Sequence, residues 1–310
     1  MRDAARKKQS KQEHMKISPL HIRTGAAIII SSIALGSTAH AAPILENYFN
    51  FTSYGTVAGG GAITAAGVTG ASATVKSTAT ALTSSGLSIT AGSNAGTTGV
   101  SLSGSSLSGF TGSFTLQMWF TTPAAIGGNT ALFGGTTSAS QDNTMVGDQA
   151  LFASYTNTNL RLRPVVSNNS QYGSVGSSPN GTAATGSTLY DYVITYSGTT
   201  FTAYLNGVAV TGGSMSVPYF SGLKSLTSGF AIGGIQNPAY GDNAAGANIT
   251  SFMMYTGALT AGEISTIHGY GSTPTLNQLS SVVVVPEPGS MALLSAGLCA
   301  LMFFRRRIGG

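Results

Sequence analysis

Between residues 42 and 285 the chain carries six carboxylates, Glu46, Asp142, Asp148, Asp191, Asp242 and Glu263, and a single histidine, His268. Hydrolysis of a glycosidic bond wants two carboxylates about 5–10 Å apart, and on a sandwich fold these commonly alternate along one strand. No Glu-x-Asp-x-Glu run occurs and the six acids stand singly, so that chemistry has no visible seat. Nor does a Gly-x-Ser-x-Gly motif accompany His268, which leaves a serine hydrolase little to build with. Glu263 is better explained as a helix cap, and His268 as a group at the end of the same short helix, where the dipole favours positive charge.

Sugar recognition needs aromatic platforms and planar hydrogen-bonding groups on an exposed face. Trp119, on the Thr/Gln face of its strand, and Arg161 and Arg163, which alternate with Leu160 and Leu162, are the residues of that kind. A buried sandwich tryptophan is the competing reading of Trp119, and both stay open. Asp142-Asn143 with Asp148, and Asp242-Asn243, lie in Gly-rich loops and leave calcium as the one cofactor open to the chain, although turn formation accounts for the same residues. No metal ligand is assigned. The only cysteine, Cys299, lies in a C-terminal apolar run, so the body has no disulfide, zinc cluster or thiol nucleophile.

The elements that must position these residues are strands. Charged residues make up only 7% of the 310-residue chain, against roughly 25% in an average soluble protein, while 42 glycines and abundant Ser and Thr fill the polar positions. Disorder usually combines low hydrophobicity with high net charge, and a 42% hydrophobic content favours folded β-structure instead. In "SFTLQMWFTT", Phe114, Leu116, Met118 and Phe120 alternate with Thr115, Gln117, Trp119 and Thr121, so one face is core. "LYDYVITYSGTTFTAYLNGVAVTG" predicts three antiparallel strands turning at Ser197-Gly198 and Asn206-Gly207. "QALFASYTNTNLRLRPVV" predicts two more around residues 156–159, ended by Pro164. "NITSFMMYTGALTAGEISTIHGYG" predicts a strand and then a short helix opened by a Thr260/Glu263 capping box, with Leu259, Ile264 and Ile267 pinning it to the sandwich.

The formal charge of +5 and pI near 9.4 belong to the ends. Seven basic residues precede residue 24 and Arg305, Arg306 and Arg307 nearly close the chain. Residues 42–285 hold four basic against six acidic side chains, a net charge of −2, with no Lys/Arg cluster for phosphate, which argues against nucleic acid as a partner.

From Met15, which competes with Met1 as the true start, basic residues lead into an apolar core at residues 25–35 and then Ala39-His40-Ala41. Small residues at Ala39 and Ala41 fit signal-peptidase cleavage, and the core, about 16 Å as a helix, is too short for a bilayer of about 30 Å. At the other end Pro286 and Pro288 stop any strand formed by residues 282–285, and residues 290–304 supply an apolar run ending in three arginines. Such a run covers about 22 Å as a single transmembrane helix, and the arginines hold its end in the cytoplasm.

The order Pro286-Glu287-Pro288, apolar helix, then Arg305-Arg306-Arg307 resembles the PEP-CTERM sorting signal of exopolysaccharide-producing Gram-negative bacteria. That resemblance implies an exosortase-type processing enzyme as partner, passage through the inner membrane during sorting, and delivery to the cell surface or extracellular matrix. "FTLQMWFTT", "YVITYSGTTFTAYLNGVAV", "FAIGG" and "MMYTGALTAGEI" in this order resemble the LamG-like, concanavalin A-like jelly roll of bacterial surface proteins, over roughly residues 114–270. "GLSI" and "GVSL" are candidates for its early strands. Asp191-Tyr192 stand where that family commonly has a His or Trp-His pair, which puts any local role carried over to them in doubt.

The expected architecture is therefore all-β: a two-sheet antiparallel jelly-roll sandwich, with an N-terminal signal peptide and a C-terminal transmembrane helix. Residues 1–41 are expected as leader and signal, 42–270 as the LamG-like domain, 271–285 as a short linker and 286–310 as the sorting signal. The expected function is that of a noncatalytic binding or structural protein, with extracellular polysaccharide as its partner. A divergent glycan hydrolase or lyase on the same fold is the alternative.

Overall fold

The computed structural model describes residues 42–76, 80–90, 95–125, 130–137, 149–155, 163–168, 171–174, 185–236, 243–244 and 246–283. The early strands are β1 (Ile44–Asn50), β2 (Ala62–Thr64), β3 (Ser72–Val75), β4 (Thr80–Thr83), β5 (Gly86–Ile89) and β6 (Val100–Leu102). Then come β7 (Phe114–Thr121), β8 (Thr130–Thr136), β9 (Gln149–Tyr155), β10 (Arg163–Asn168), β11 (Gln171–Ser174) and β12 (Leu189–Tyr196). The last strands are β13 (Thr200–Leu205), β14 (Val208–Ser216), β15 (Phe230–Ile232), β16 (Asn243–Ala244) and β17 (Asn248–Thr256), followed by helices α1 (Ala261–Gly269) and α2 (Leu276–Val283).

They form two sheets. The first runs β14-β13-β12-β7-β17-β5-β4, with β1 also paired to β17; the second runs β11-β10-β9-β8-β15-β6-β3-β2. Pairing is antiparallel throughout except for β16, which adds a short parallel bridge to β8. The expected two-sheet sandwich is what the chain forms, and its core lies between the sheets. Phe133 of β8 packs on Phe230 of β15 at 5.7 Å and on Phe252 of β17 at 5.5 Å between ring centroids, which ties one sheet to the other.

The expected hairpins are present where the turn residues demanded them. Asn206 and Gly207 take φ of 51° and 77°, the paired positive values that a two-residue hairpin turn needs, and Gly198 takes 95°. β10 departs from expectation: it does not end at Pro164 but runs through it to Asn168. Pro164 lies opposite Ala153 of β9, while pairing with β11 begins only at Val165, so a single neighbour is present to miss the absent amide.

Both faces of β7 are buried, although its Thr/Gln/Trp face alternates as a polar one should. The reason is the helices. Leu259, Ile264 and Ile267, with Leu279 of α2, cover the outer face of the first sheet and make a second apolar layer with Leu45, Tyr48, Trp119, Val193, Tyr204, Met253 and Tyr255. Each such aliphatic side chain contributes about 1.5–3 kcal/mol by burial. The capping box of α1 forms as expected, with Thr260 N–H donating to Glu263 Oε2 at 2.6 Å and Glu263 N–H donating to Thr260 Oγ1 at 3.3 Å.

Helix α2 occupies the segment expected as a linker. A second box starts it: Thr275 N–H donates to Gln278 Oε1 at 2.8 Å, and Gln278 N–H to Thr275 Oγ1 at 3.3 Å. The signature Thr-x-x-Gln was present in the sequence, and the β-branched run behind it drew attention away. No helix among the described residues is long and apolar enough to cross a membrane; residues 290–304 lie outside them.

Candidate active site

Strand register builds the site. On the outer face of the first sheet Asp191 of β12 stands directly opposite Trp119 of β7, and Gln117 stands opposite the next outward residue, Val193. Helix α1 crosses above them and lowers His268 onto the cluster. Gln117 Nε2 donates to Asp191 Oδ1 at 2.9 Å, and His268 Nδ1 lies 3.0 Å from Asp191 Oδ2. The indole of Trp119 is stacked under the imidazole, with ring centroids 5.2 Å apart and an interplanar angle of 2°.

The turn after β13 completes the frame. Asn206 Oδ1 accepts from Asp191 N–H at 3.0 Å, and Asn206 N–H donates to the Asp191 carbonyl at 2.8 Å. Gly207 follows, at φ +77°, and a Cβ there would stand 3.0 Å from Cβ, Cγ and Cδ2 of His268. Glycine is therefore required twice over, by the backbone and by the ring beside it.

Burial sets the electrostatics. Asp191 is 0% exposed, while the His268 side chain is 34% exposed. Desolvation pushes the Asp191 carboxyl up to about 6, against the opposing pull of the hydrogen bonds from Gln117 and His268 and of the imidazole charge. With Asp191 ionised, Nδ1 of His268 must carry the bonded proton, and Nε2 is the nitrogen left to accept another. A buried carboxylate that orients a partly exposed imidazole has the geometry to serve as general base and general acid in one unit.

The cluster also contains groups that folding alone would not choose. Presenting Nε2 to Asp191 leaves Gln117 Oε1 buried with no hydrogen-bond partner among the described residues, and Trp119 Nε1 is in the same state. Each costs about 1–3 kcal/mol. Asn47 Nδ2 and Tyr192 O–H are the other buried polar atoms in this state among the described residues, so the cluster holds two of four.

Other sequence-derived residues fall elsewhere. Trp119 is 5% exposed with one ring face taken by His268, so it is no open sugar platform. Arg163 begins β10 opposite Ser154, in the other sheet from Trp119, and Arg161 lies outside the described residues. The same holds for Ala39 and Ala41, for Pro286, Glu287, Pro288 and the three terminal arginines, and for Asp142, Asn143, Asp148 and Asp242 of the calcium question. Among the described residues no group of three His, Cys, Asp or Glu is placed to hold a metal ion. What the sequence reading missed is the pairing of Asp191 with His268, 77 residues away.

The family model Laminin_G_3, described as the concanavalin A-like lectin/glucanases superfamily, matches residues 94–265, more than half of the chain. A second model, the PEP-CTERM protein-sorting motif, matches residues 284–307. No curated protein matches. Among solved structures the fold is similar to the sialidase of Trypanosoma rangeli as a covalent intermediate with 2,3-difluorosialic acid, at TM-score 0.51 and 16% identity over 81% of this chain and 39% of that one. The same sialidase with sialic acid bound gives 0.50 and 15% over 81% and 39%. A mutant of it displaying trans-sialidase activity gives 0.51 and 17% over 80% and 36%.

The chain thus spans about two fifths of the length of those sialidases, and at such identities the likeness shows the fold alone. The expectation of a noncatalytic binding or structural protein is nevertheless corrected by it. The solved neighbours are sialidases, one of them a mutant displaying trans-sialidase activity. The presence of the sorting motif implies exosortase-type processing and passage out through the cell envelope.

Proposed function

The chain belongs to the concanavalin A-like lectin/glucanases superfamily, and from that premise we propose that it is a divergent glycan hydrolase whose proton-transfer centre is the Asp191–His268 pair. The observation that carries this reading is a fully buried carboxylate 3.0 Å from the ring of a one-third exposed histidine. In hydrolysis, Nε2 of His268 takes a proton from water as its oxygen bonds the anomeric carbon. The glycosidic C–O bond breaks with its electron pair on the leaving oxygen, which takes a proton from water, and the imidazolium gives its own proton back to solvent. Asp191 fixes the ring and offsets the imidazolium charge, a contribution of the kind worth about 10²–10⁴ in rate.

In this reading the substrate is an extracellular polysaccharide. The signal ends at Ala39-His40-Ala41, the LamG-like body covers residues 42–270, and residues 286–310 are the sorting signal. Pro286-Glu287-Pro288 marks the processing region, and Arg305, Arg306 and Arg307 stay on the cytoplasmic side of the inner membrane until an exosortase releases the body to the surface or matrix. The sorting-motif match over residues 284–307 supports this route.

The test is release of reducing ends from neutral and acidic bacterial polysaccharides by the exported protein and by its His268→Ala variant. Turnover that falls at least a hundredfold in the variant is expected. Turnover equal in both, or none from a correctly folded wild type, overturns the reading.

A further inference from the structure

A cleft of ≈340 Å³ opens where the end of β1, the 3-10 turn Phe51–Ser53, β2 and the loop between α1 and α2 meet. Tyr48, Asn50, Tyr54, Thr64 and Thr273 are among its walls, and no acidic or basic side chain among the described residues lines it. We propose that this cleft is a binding subsite for a neutral oligosaccharide, holding the part of a glycan chain remote from the Asp191–His268 pair. It rests on the hydrolase reading for its purpose, though its ligand chemistry follows from the cleft alone.

The lining argues for the class of ligand. An anion or cation entering a site without compensating charge forfeits its hydration and gains no partner, whereas a polyhydroxyl compound exchanges its water hydrogen bonds for protein ones. Tyr54, partly exposed, supplies apolar ring surface with a polar edge, the usual surface for the C–H face of a sugar ring, while the buried Tyr48 closes the floor. Burial holds both phenols above their ordinary range, Tyr54 pushed up to about 12, so they remain neutral hydroxyls. Asn50 Nδ2 and the hydroxyls of Thr64 and Thr273 take no protein partner among the described residues, which leaves donors and acceptors for ligand hydroxyls.

The cleft is also held open. Tyr48 O–H donates to the Pro274 carbonyl at 2.7 Å, joining positions 226 residues apart, and Tyr54 O–H donates to the Thr64 carbonyl at 2.7 Å. Thr52 Oγ1 donates to Asn50 Oδ1 at 2.7 Å and so turns the amide nitrogen away from its own turn. Walls fixed in this way lower the ordering cost of binding.

Position relates the cleft to the acid–base pair. Tyr48 of β1 is in register with Met253 of β17, Met253 with Gln117 of β7, and Gln117 with Val193 of β12. Three interstrand steps separate β1 from the strand of Asp191, about 14 Å at the usual spacing. Thr273 follows His268 by five residues, over the top of the same sheet. Between the two points the sheet is covered by α1 and α2, so a glycan held in the cleft runs over the helices and not over Met253 and Gln117, and remote contacts of this sort help position the reacting bond.

The experiment is titration of the exported protein with cellohexaose, with maltohexaose and, as the charged counterpart, with hexagalacturonate, beside turnover assays on the same samples. The variants are Tyr54→Ala, Tyr54→Phe and Thr273→Lys, the last at an exposed wall position where a new side chain fills the cleft without entering the core. Expected is saturable binding of at least one neutral hexasaccharide, weakened tenfold or more by Tyr54→Ala and Thr273→Lys and less than threefold by Tyr54→Phe. Neutral binding that ignores Thr273→Lys, no neutral binding at all, or equal binding of hexagalacturonate overturns the subsite. Turnover without cleft-dependent binding sinks the subsite and spares the hydrolase, and cleft-dependent binding without turnover does the reverse.

Discussion

Trp119 and His268 lie face to face, 5.2 Å apart and 2° from parallel, one on the central strand of the first sheet and the other on the helix that covers it. The stack fixes the plane of the imidazole, and Asp191 fixes its rotation within that plane. Replacing Trp119 by alanine removes both a buried ring and the floor under the histidine. A loss of about 3–5 kcal/mol in stability is expected from large-to-small substitution in a packed layer. Urea denaturation measures it, and Trp119→Phe, which keeps a stacked ring, should recover more than half.

Asp191 makes stability depend on pH in a particular sense. Its carboxyl rises from an ordinary 3.8 to about 6 in the folded protein, so the folded state holds the proton more tightly than the unfolded one. The contribution is fully present below about 3.8 and is lost as the pH rises through about 6. Relative to Asp191→Asn, the wild type should therefore lose on the order of 3 kcal/mol across that window. Denaturation midpoints of the two proteins between pH 3.5 and 7, in roughly half-unit steps, test the sign; a constant difference refutes it.

Activity should run the other way, because only the ionised Asp191 can support an imidazolium. Turnover is expected to climb as the pH passes about 6. Gln117→Leu removes a hydrogen bond that pulls the carboxyl down, so the rising limb should move to higher pH in that variant. A pH–rate profile that does not move refutes this role for Gln117.

Gly207 admits no side chain without consequence. Gly207→Ala places a methyl 3.0 Å from the His268 ring at a φ of +77°, at a backbone cost of about 1–2 kcal/mol. Stability should fall by at least that amount. Turnover should fall further than stability accounts for, since the ring must shift. Gly198→Ala, at φ +95° with open space around it, provides the strain without the contact.

Helix α2 is held by its cap and by Leu279, which is 0% exposed. Thr275→Ala should cost about 1 kcal/mol and Leu279→Ala about 2–5 kcal/mol. Hydrogen exchange over residues 276–283 should accelerate in both, and protection unchanged from wild type refutes the cap as the anchor.

The legible parts of the molecule were those in which neighbouring residues carry the signal. The alternation in β7, the Asn206-Gly207 turn and the Thr260/Glu263 box each lie within a few residues and each formed as expected. Pro164 misled because a single residue cannot reveal whether it lies inside a sheet or past the end of a partner strand. Asp191 and His268 look unremarkable apart, one a lone acid in a tyrosine-rich strand and the other a lone histidine at a helix end. Only sheet register and the docking of α1 bring them together, and no local pattern encodes either. Burial of Trp119 was one of two readings its strand left open, and the cover that decides between them arrives from residues 259–282.

Strand β17 lies between β7 on one edge and β1 and β5 on the other, although it is the last strand made. Until its residues emerge, β1 pairs only with the short stretch at residues 66–69 and the two halves of the sheet have no seam. Whatever the route of the polypeptide, the first sheet therefore closes only when nearly all of the strands are present.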